Sequence, residues 1–340
     1  MNRPIIPRSP LRKNGKNNNG SFIRDITALC EQLQLPNSVK DAAIGLNSPF
    51  PLRISKSFLE QIERGNPNDP LLLQVLPQTL ENSKVEGFSD DPVGDLSNSV
   101  TPGVIHKYRN RVLLTVTGAC AIHCRYCFRR NFPYNSENPK RDNWDSAINY
   151  IHQHSEIEEV ILSGGDPLML ELENLSELVQ QIEQIHHIKR LRIHSRIPIV
   201  APERVNEQML TWFDKVSLPV VMVLHSNHPN ELSTEVESVL NRLSQRGVRL
   251  LNQSVLLKGV NDSAETLAKL SNRLFDIGVQ PYYLNLLDRA HGSAHFEVSA
   301  KHTQEIAAAL QTLLPGYLMP KIVRDQGKSS GKVVLCLESL

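Results

Sequence analysis

From about residue 106 onward, short apolar runs alternate with longer stretches whose apolar positions recur every three or four residues. The runs Arg111–Val116, Glu159–Ser163, Leu191–Ser195, Leu218–His225, Arg249–Val255 and Gln280–Asn285 predict six strands. The stretches between them predict helices. The clearest begins at Asp262-Ser-Ala-Glu265, a capping-box-like start, and carries Leu267, Leu270, Leu274 and Ile277 along one face before Gly278 stops it. Strand–helix alternation of this kind predicts an α/β fold: a parallel sheet with right-handed helical crossovers packed outside it. Chemistry in such folds gathers at the carboxyl ends of the strands. Unusual polar residues fall at those ends: a cysteine-rich loop after the first, Gly164-Gly165-Asp166 after the second, and His194-Ser195-Arg196 closing the third. His225-Ser-Asn-His228 follows the fourth, Gln253-Ser254 ends the fifth and Leu287-Asp288-Arg289 follows the sixth.

The pattern before residue 106 is weaker. Ile23, Ile26, Leu29 and Leu33 predict a short amphipathic helix, and residues 55–64 a second, stopped by Gly65 and Pro67. Residues 21–105 therefore read as a mainly helical extension of the α/β domain at 106–315. Residues 1–20, basic and rich in Asn and Pro, read as a loosely ordered tail. Residues 316–340 form a short C-terminal segment.

Composition narrows the function. With 37 basic against 36 acidic residues the net charge is +1, which argues against capture of nucleic acid or of an anionic membrane. The N-terminus lacks an apolar core of secretory length, and no run approaches transmembrane length. Cys30 and Cys336 follow no disulfide spacing and read as apolar fillers. A cluster of free thiols with no secretory signal points to a reducing, cytoplasmic compartment.

The candidate chemistry starts with Cys120, Cys124 and Cys127, spaced C-x3-C-x2-C after the first strand. A four-iron cluster takes one thiolate per iron, so three local cysteines leave one iron open to a small molecule. A mononuclear zinc site completed by His123 is the alternative. An aromatic, Tyr126, precedes the last cysteine, and the loop follows a strand; this context resembles the radical S-adenosylmethionine (SAM) enzymes. Ser163-Gly164-Gly165-Asp166-Pro167 is by itself a plain tight turn. Beside such a loop it resembles the segment that holds the amino group of SAM.

A closer resemblance runs in order over roughly residues 50–340. His106-Lys-Tyr-Arg-Asn-Arg111, the cysteine loop, Ser163–Leu168, Arg192-Ile-His-Ser-Arg-Ile-Pro198, Asn252-Gln-Ser-Val-Leu-Leu257, residues 281–288, Gly292-Ser-Ala-His-Phe296 and Gly316-Tyr317 all resemble the lysine 2,3-aminomutase family. The compact chain is most similar to its bacterial branch that makes β-lysine for modifying elongation factor P. The resemblance implies a radical SAM partial (β/α)6 barrel, an isomerase activity on L-lysine, and three cofactors: a [4Fe-4S] cluster, SAM and pyridoxal 5′-phosphate (PLP). It also implies an electron donor such as flavodoxin or ferredoxin, and a functional link to the ligase that modifies elongation factor P.

The same resemblance assigns residues. Cys120, Cys124 and Cys127 carry the cluster, and Ser163, Gly164, Gly165 and Asp166 border SAM. PLP needs a lysine, and the tail offers Lys328 and Lys332. Gly331-Lys332-Val333-Val334 fits the family's lysine at the end of a glycine-rich turn, with Asp325 seven residues earlier, although Gly-Lys-Ser-Ser-Gly replaces the usual glycine run. Lys332 is the reading adopted. Lys107, Tyr108 and Arg111 correspond to positions near PLP. Arg129 matches the family's carboxylate-binding arginine, a role suited to a planar guanidinium. Asp288 and Asp325 match the two acids that clamp the substrate's ε-ammonium. Without the family, each of these charged residues would read as a solvated or structural one.

Overall fold

A computed structural model describes residues 22–44, 50–137, 144–327 and 331–335. Its centre is one ten-stranded sheet. In chain order, β1 (Phe22–Ile23) and β2 (Ile54–Ser55) make a separate antiparallel ribbon. The sheet then begins with β3 (Ser99–Thr101) and β4 (Val104–Tyr108), antiparallel to each other, and β4 runs antiparallel to β5 (Arg111–Thr117). From β5 the strands are parallel neighbours: β6 (Glu159–Gly164), β7 (Arg190–Ser195), β8 (Val220–Leu224), β9 (Arg249–Val255), β10 (Gln280–Asn285) and β11 (Lys321–Asp325). A last strand, β12 (Lys332–Val334), returns antiparallel to β11. All six predicted strands are present, with ends shifted by no more than two residues. The sheet goes further than the hydrophobic pattern predicted: β11 adds a seventh parallel strand, and β12 brings Lys332 into the sheet. The division of the chain at residue 105 falls inside β4.

The helices are α1 (Ile26–Gln32), α2 (Asn37–Ile44), α3 (Lys56–Leu59), α4 (Pro70–Leu73), α5 (Asp145–Gln153), α6 (Leu172–Glu183), α7 (Ile197–Val200), α8 (Glu207–Phe213), α9 (Thr234–Ser244), α10 (Ala264–Asp276) and α11 (Ala300–Leu313). The second expected helix is only α3, one turn long, because the chain passes into turns after Leu59. In the crossovers, sequence and structure agree closely. Asn206, Ser233, Ser263 and Ser299 each cap a helix start by accepting from a backbone amide three residues on. Gly278 has φ +76°, the left-handed conformation that ends α10. Leu267, Leu270 and Leu274 are buried on its inner face, each contributing about 1.5–3 kcal/mol of hydrophobic stabilisation. Leu175, Leu178, Val179 and Ile182 do the same for α6. Cys30 is a buried free thiol, as expected of an apolar filler, whereas Cys336 and Lys328 lie outside the described residues. Among the described residues no helix is long and apolar enough to cross a membrane.

The sheet curls so that its two ends approach each other. The hydroxyl of Tyr108, on β4, accepts a hydrogen bond from the Lys332 amide on β12 at 2.8 Å. Gly331, at φ +65°, packs so tightly on the Tyr108 ring that a Cβ there would lie 2.1 Å from the hydroxyl oxygen. Gly94 meets the Gly327 backbone with the same closeness. Glycine is needed at these positions because backbone touches its neighbour directly.

Candidate active site

The curled sheet encloses a cavity of about 470 Å³ lined from the carboxyl ends of the parallel strands. Cys120, Cys124 and Cys127 lie at one end, and Asn285, Asp288, Asp325 and Lys332 also line it. The cysteine loop is fixed from outside by the N-terminal extension. The His123 amide donates to Arg53 O at 2.9 Å and the Arg125 amide to Gln74 O at 2.8 Å. Glu81 accepts from Arg125 Nε at 2.8 Å and from Arg130 Nη2 at 2.7 Å, all three side chains being buried. Removing one partner of such a buried ion pair typically costs about 3–5 kcal/mol.

Burial pushes the Cys120 thiol well above its usual range and Cys127 up to about 11, with the neighbouring cysteines adding to both. Thiols held this way keep their protons until a metal takes the thiolates and the protons leave to water, which is the chemistry of a cluster site. Among the described residues no three potential ligands converge on a single ion. His123 is occupied differently: its Nδ1 contacts Pro51 O at 2.8 Å, its ring stacks on Phe50, and burial pushes its pKa down to about 4.

The Gly-Gly-Asp turn differs in detail from expectation. The Gly165 amide donates to Thr117 O at 2.6 Å and the Asp166 amide to Ala119 O at 2.8 Å. A Cβ on Gly165 would lie 2.4 Å from Ala119 O. These glycines therefore let the turn dock under the cysteine loop, to which the Gly165 and Asp166 amides are already bonded. The Asp166 carboxylate is likewise committed. It accepts from the Leu168, Arg196 and Ile197 amides and from Ser195 Oγ at 2.7–3.1 Å. Burial raises it to about 6 despite those bonds. Its work is to tie the end of β6 to the end of β7.

Arg129 and Ser163 meet: Arg129 Nη1 donates to Ser163 Oγ at 3.0 Å, and its Nε to Asp95 at 2.8 Å. Asp95 also pairs with Lys107 at 2.8 Å, and Lys107 donates to Val93 O at 2.6 Å. Burial alone would raise the Asp95 carboxyl, but Arg129 and Lys107 together hold it below its usual range. In this arrangement the Lys107 ammonium is engaged by protein rather than offered to a ligand. Arg111 lies with its guanidinium carbon 3.6 Å from the Tyr108 ring centre and, like Tyr108, lines the cavity.

At the other end, Lys332 Nζ donates to Asn285 Oδ1. Burial lowers the lysine's pKa, opposed by Asp288 and Asp325. Burial raises Asp288 to about 6, with Lys332 pulling it down and Asp325 pushing it up. Asp325 accepts from the Gly327 amide at 3.1 Å. A buried lysine whose pKa is lowered, beside two carboxylates, suits the amine that bonds a carbonyl cofactor.

Several contributors carried no local signal. Gln74, Asp95 and Glu81 come from the irregular extension, Glu231 from a loop, and Asn285 from the end of β10. His194 and His225 were legible as strand-end residues without a role. Both line the cavity and are held neutral, His194 by burial and the surrounding Arg192, Lys332 and Arg129, and His225, at about 3, by burial and Arg196.

Residues 114–271 match the radical SAM superfamily. Over 324 residues the chain is 44% identical to an L-lysine 2,3-aminomutase of Haemophilus influenzae, covering 94% of this chain and 96% of that protein. It is 50% identical over 289 residues to the Escherichia coli L-lysine 2,3-aminomutase, covering 85% and 84%. It is 36% identical over 282 residues to the Clostridium subterminale L-lysine 2,3-aminomutase, covering 83% of this chain and 68% of that protein. At this identity over most of its length, this chain belongs to the lysine 2,3-aminomutase family of radical SAM enzymes.

Proposed function

We propose that the chain isomerises L-lysine to β-lysine by moving the amino group from Cα to Cβ. The observation that carries this reading is the cavity itself, which joins three cysteines, a buried lysine and a pair of carboxylates from distant parts of the sequence. The cluster and SAM supply hydrogen-abstracting chemistry when bound, and PLP supplies a carrier for the migrating nitrogen.

The protein's share is placement. Cys120, Cys124 and Cys127 hold the cluster. The turn at Ser163, Gly164 and Gly165 presents carbonyls to the amino group of SAM, and Asp166 keeps that turn in register with β7. Lys332 anchors PLP, with Tyr108 and Arg111 beside it and Lys107 held back by Asp95. Arg129 receives the substrate carboxylate. Asp288 and Asp325 receive its ε-ammonium, which would otherwise be a costly buried cation. Enclosure by the curled sheet orients the reactants and keeps water from a reactive intermediate. Electrons come from a small redox protein such as flavodoxin or ferredoxin. The product serves the ligase that modifies elongation factor P in the cytoplasm; similarity to compact bacterial relatives supports this finer assignment. We place residues 1–20 as a tail, 21–105 as the frame of the cysteine loop, 106–315 as the barrel and 316–340 as the segment delivering Lys332.

Anaerobic incubation with L-lysine, SAM, PLP and a reductant, followed by product analysis, tests the activity. β-Lysine is the expected product. Turnover of another amino acid in preference to lysine would overturn the substrate assignment. Supplying β-lysine to cells lacking this protein tests the link to elongation factor P, whose modification it should restore.

A further inference from the structure

Arg196, just beyond the end of β7, is buried and aims one edge of its guanidinium at the cysteine loop. Its Nη1 lies 2.7 Å from Cys124 Sγ and 2.7 Å from the Tyr126 hydroxyl. Its Nη2 donates to Gln74 Oε1 at 2.7 Å and to Glu231 Oε2 at 2.9 Å. Those partners are themselves fixed. Asn227 Nδ2 donates to Gln74 Oε1 at 3.0 Å and to the Tyr126 hydroxyl at 2.7 Å. Glu231 accepts from Gln74 Nε2 at 3.0 Å and from the Asn227 and His228 amides at 2.9 and 3.1 Å.

The orientation is informative. Arg196 Nε is buried without a partner, so the guanidinium is not turned to satisfy the most donors. It is turned so that an N–H edge faces sulfur while a carboxylate holds it from the other side. Residues 74, 124, 126, 196, 227 and 231 come from four separate segments of the chain, and a simple ion pair would not need all of them.

We propose that Arg196 is a positioning residue for the cluster: it donates a hydrogen bond to the Cys124 sulfur when that sulfur is an iron ligand, and so raises the cluster's reduction potential. Hydrogen bonds to ligand sulfurs and nearby positive charge favour the reduced, more negative form of an iron–sulfur cluster. The Glu231 and Gln74 contacts keep the donor in place whether the cluster is oxidised or reduced. The proposal rests on the cluster assignment made above.

The test compares the parent protein with Arg196→Gln, Arg196→Lys and the double variant Arg196→Gln/Glu231→Gln, all purified anaerobically. The double variant removes both buried charges together and carries the test where Arg196→Gln alone leaves Glu231 uncompensated and fails to fold. Iron and sulfide content come first, because a parent protein without a cluster removes the cluster assignment itself. The SAM-free cluster is then titrated potentiometrically under electron paramagnetic resonance. The expected result is a full cluster whose reduction equilibrium is at least tenfold less favourable without the guanidinium, a fall of about 59 mV for one electron, with Arg196→Lys recovering part of it. An unchanged potential in a fully loaded double variant overturns the proposal. An unchanged potential with weakened SAM affinity overturns it too, and makes Arg196 a ligand of SAM instead.

Discussion

The two ends of the cavity handle buried charge in opposite ways. At the cysteine end the framework cations Arg196, Arg125 and Arg130 are held by acceptors of the protein itself. Arg196 has Glu231, Gln74 and Tyr126, and Arg125 and Arg130 share Glu81. At the lysine end two carboxylates face one ammonium, and that ammonium is hydrogen-bonded to an amide oxygen, Asn285 Oδ1. Among the described residues the Asp288 carboxylate accepts no hydrogen bond, and burial lifts it to about 6. A network that satisfies itself is a frame. A surplus of carboxylate that the protein leaves uncorrected is a binding site, because a ligand cation gains what the fold has not used.

The contrast can be broken most severely at the frame. Cys124→Ala should abolish cluster assembly, and Cys120→Ala or Cys127→Ala should do the same, since no spare thiol lies in the loop; iron content and the visible spectrum of anaerobic protein report it. An iron-replete Cys124→Ala protein would remove the assignment. Next in size is Lys332→Ala, which should lose all PLP fixed by borohydride while keeping its iron. Peptide mapping of the fixed adduct in the parent protein decides between the tail lysines, and label on Lys328 would show the anchor to be misplaced.

At the binding end the effects are graded. Asp288→Asn keeps the size of the side chain and removes its charge. Loss of a charge-assisted hydrogen bond is worth about 1.5–3 kcal/mol, so lysine turnover should fall roughly ten- to a hundredfold with iron content and SAM binding unchanged. Parent-like turnover would put the ammonium elsewhere. The same carboxylate predicts a pH dependence. Because burial lifts Asp288 to about 6, and only its ionised form attracts a cation, its contribution to lysine affinity should level off about a pH unit above 6 and be lost as pH falls through it. Asp288→Asn should flatten that profile; a profile unaffected by the substitution would exclude Asp288 as its source. The smallest expected effect is at the seam. Tyr108→Phe removes the acceptor of the Lys332 amide, a bond worth about 0.5–1.5 kcal/mol, and PLP retention in equilibrium dialysis should weaken roughly two- to tenfold. Unchanged retention would mean that β12 is held by its pairing with β11 alone.

The parallel core was written in the chain because its signals are local. Alternating apolar runs, serine and asparagine caps and Gly278 each act within a few residues, and all six strands fall where those signals put them. The cysteine loop was legible for the same reason: its ligands lie within eight residues of one another. Asp166 was legible as a site residue, but its actual use, bridging two strand ends, was not. Its partners on β7 are thirty residues away.

What the sequence determined by itself was therefore the order of the six core strands with their crossover helices, and the positions of the three candidate thiols. What only the tertiary structure decided was which charges are spent and which are left. That Lys107 is held by Asp95, that Gly165 docks a loop, that Arg196 faces Cys124 and that Asp288 has no hydrogen-bond donor among the described residues all depend on contacts between residues far apart in the chain. A side chain's charge is fixed by its chemistry, but its availability is fixed by its neighbours, and those neighbours meet only when the sheet has curled.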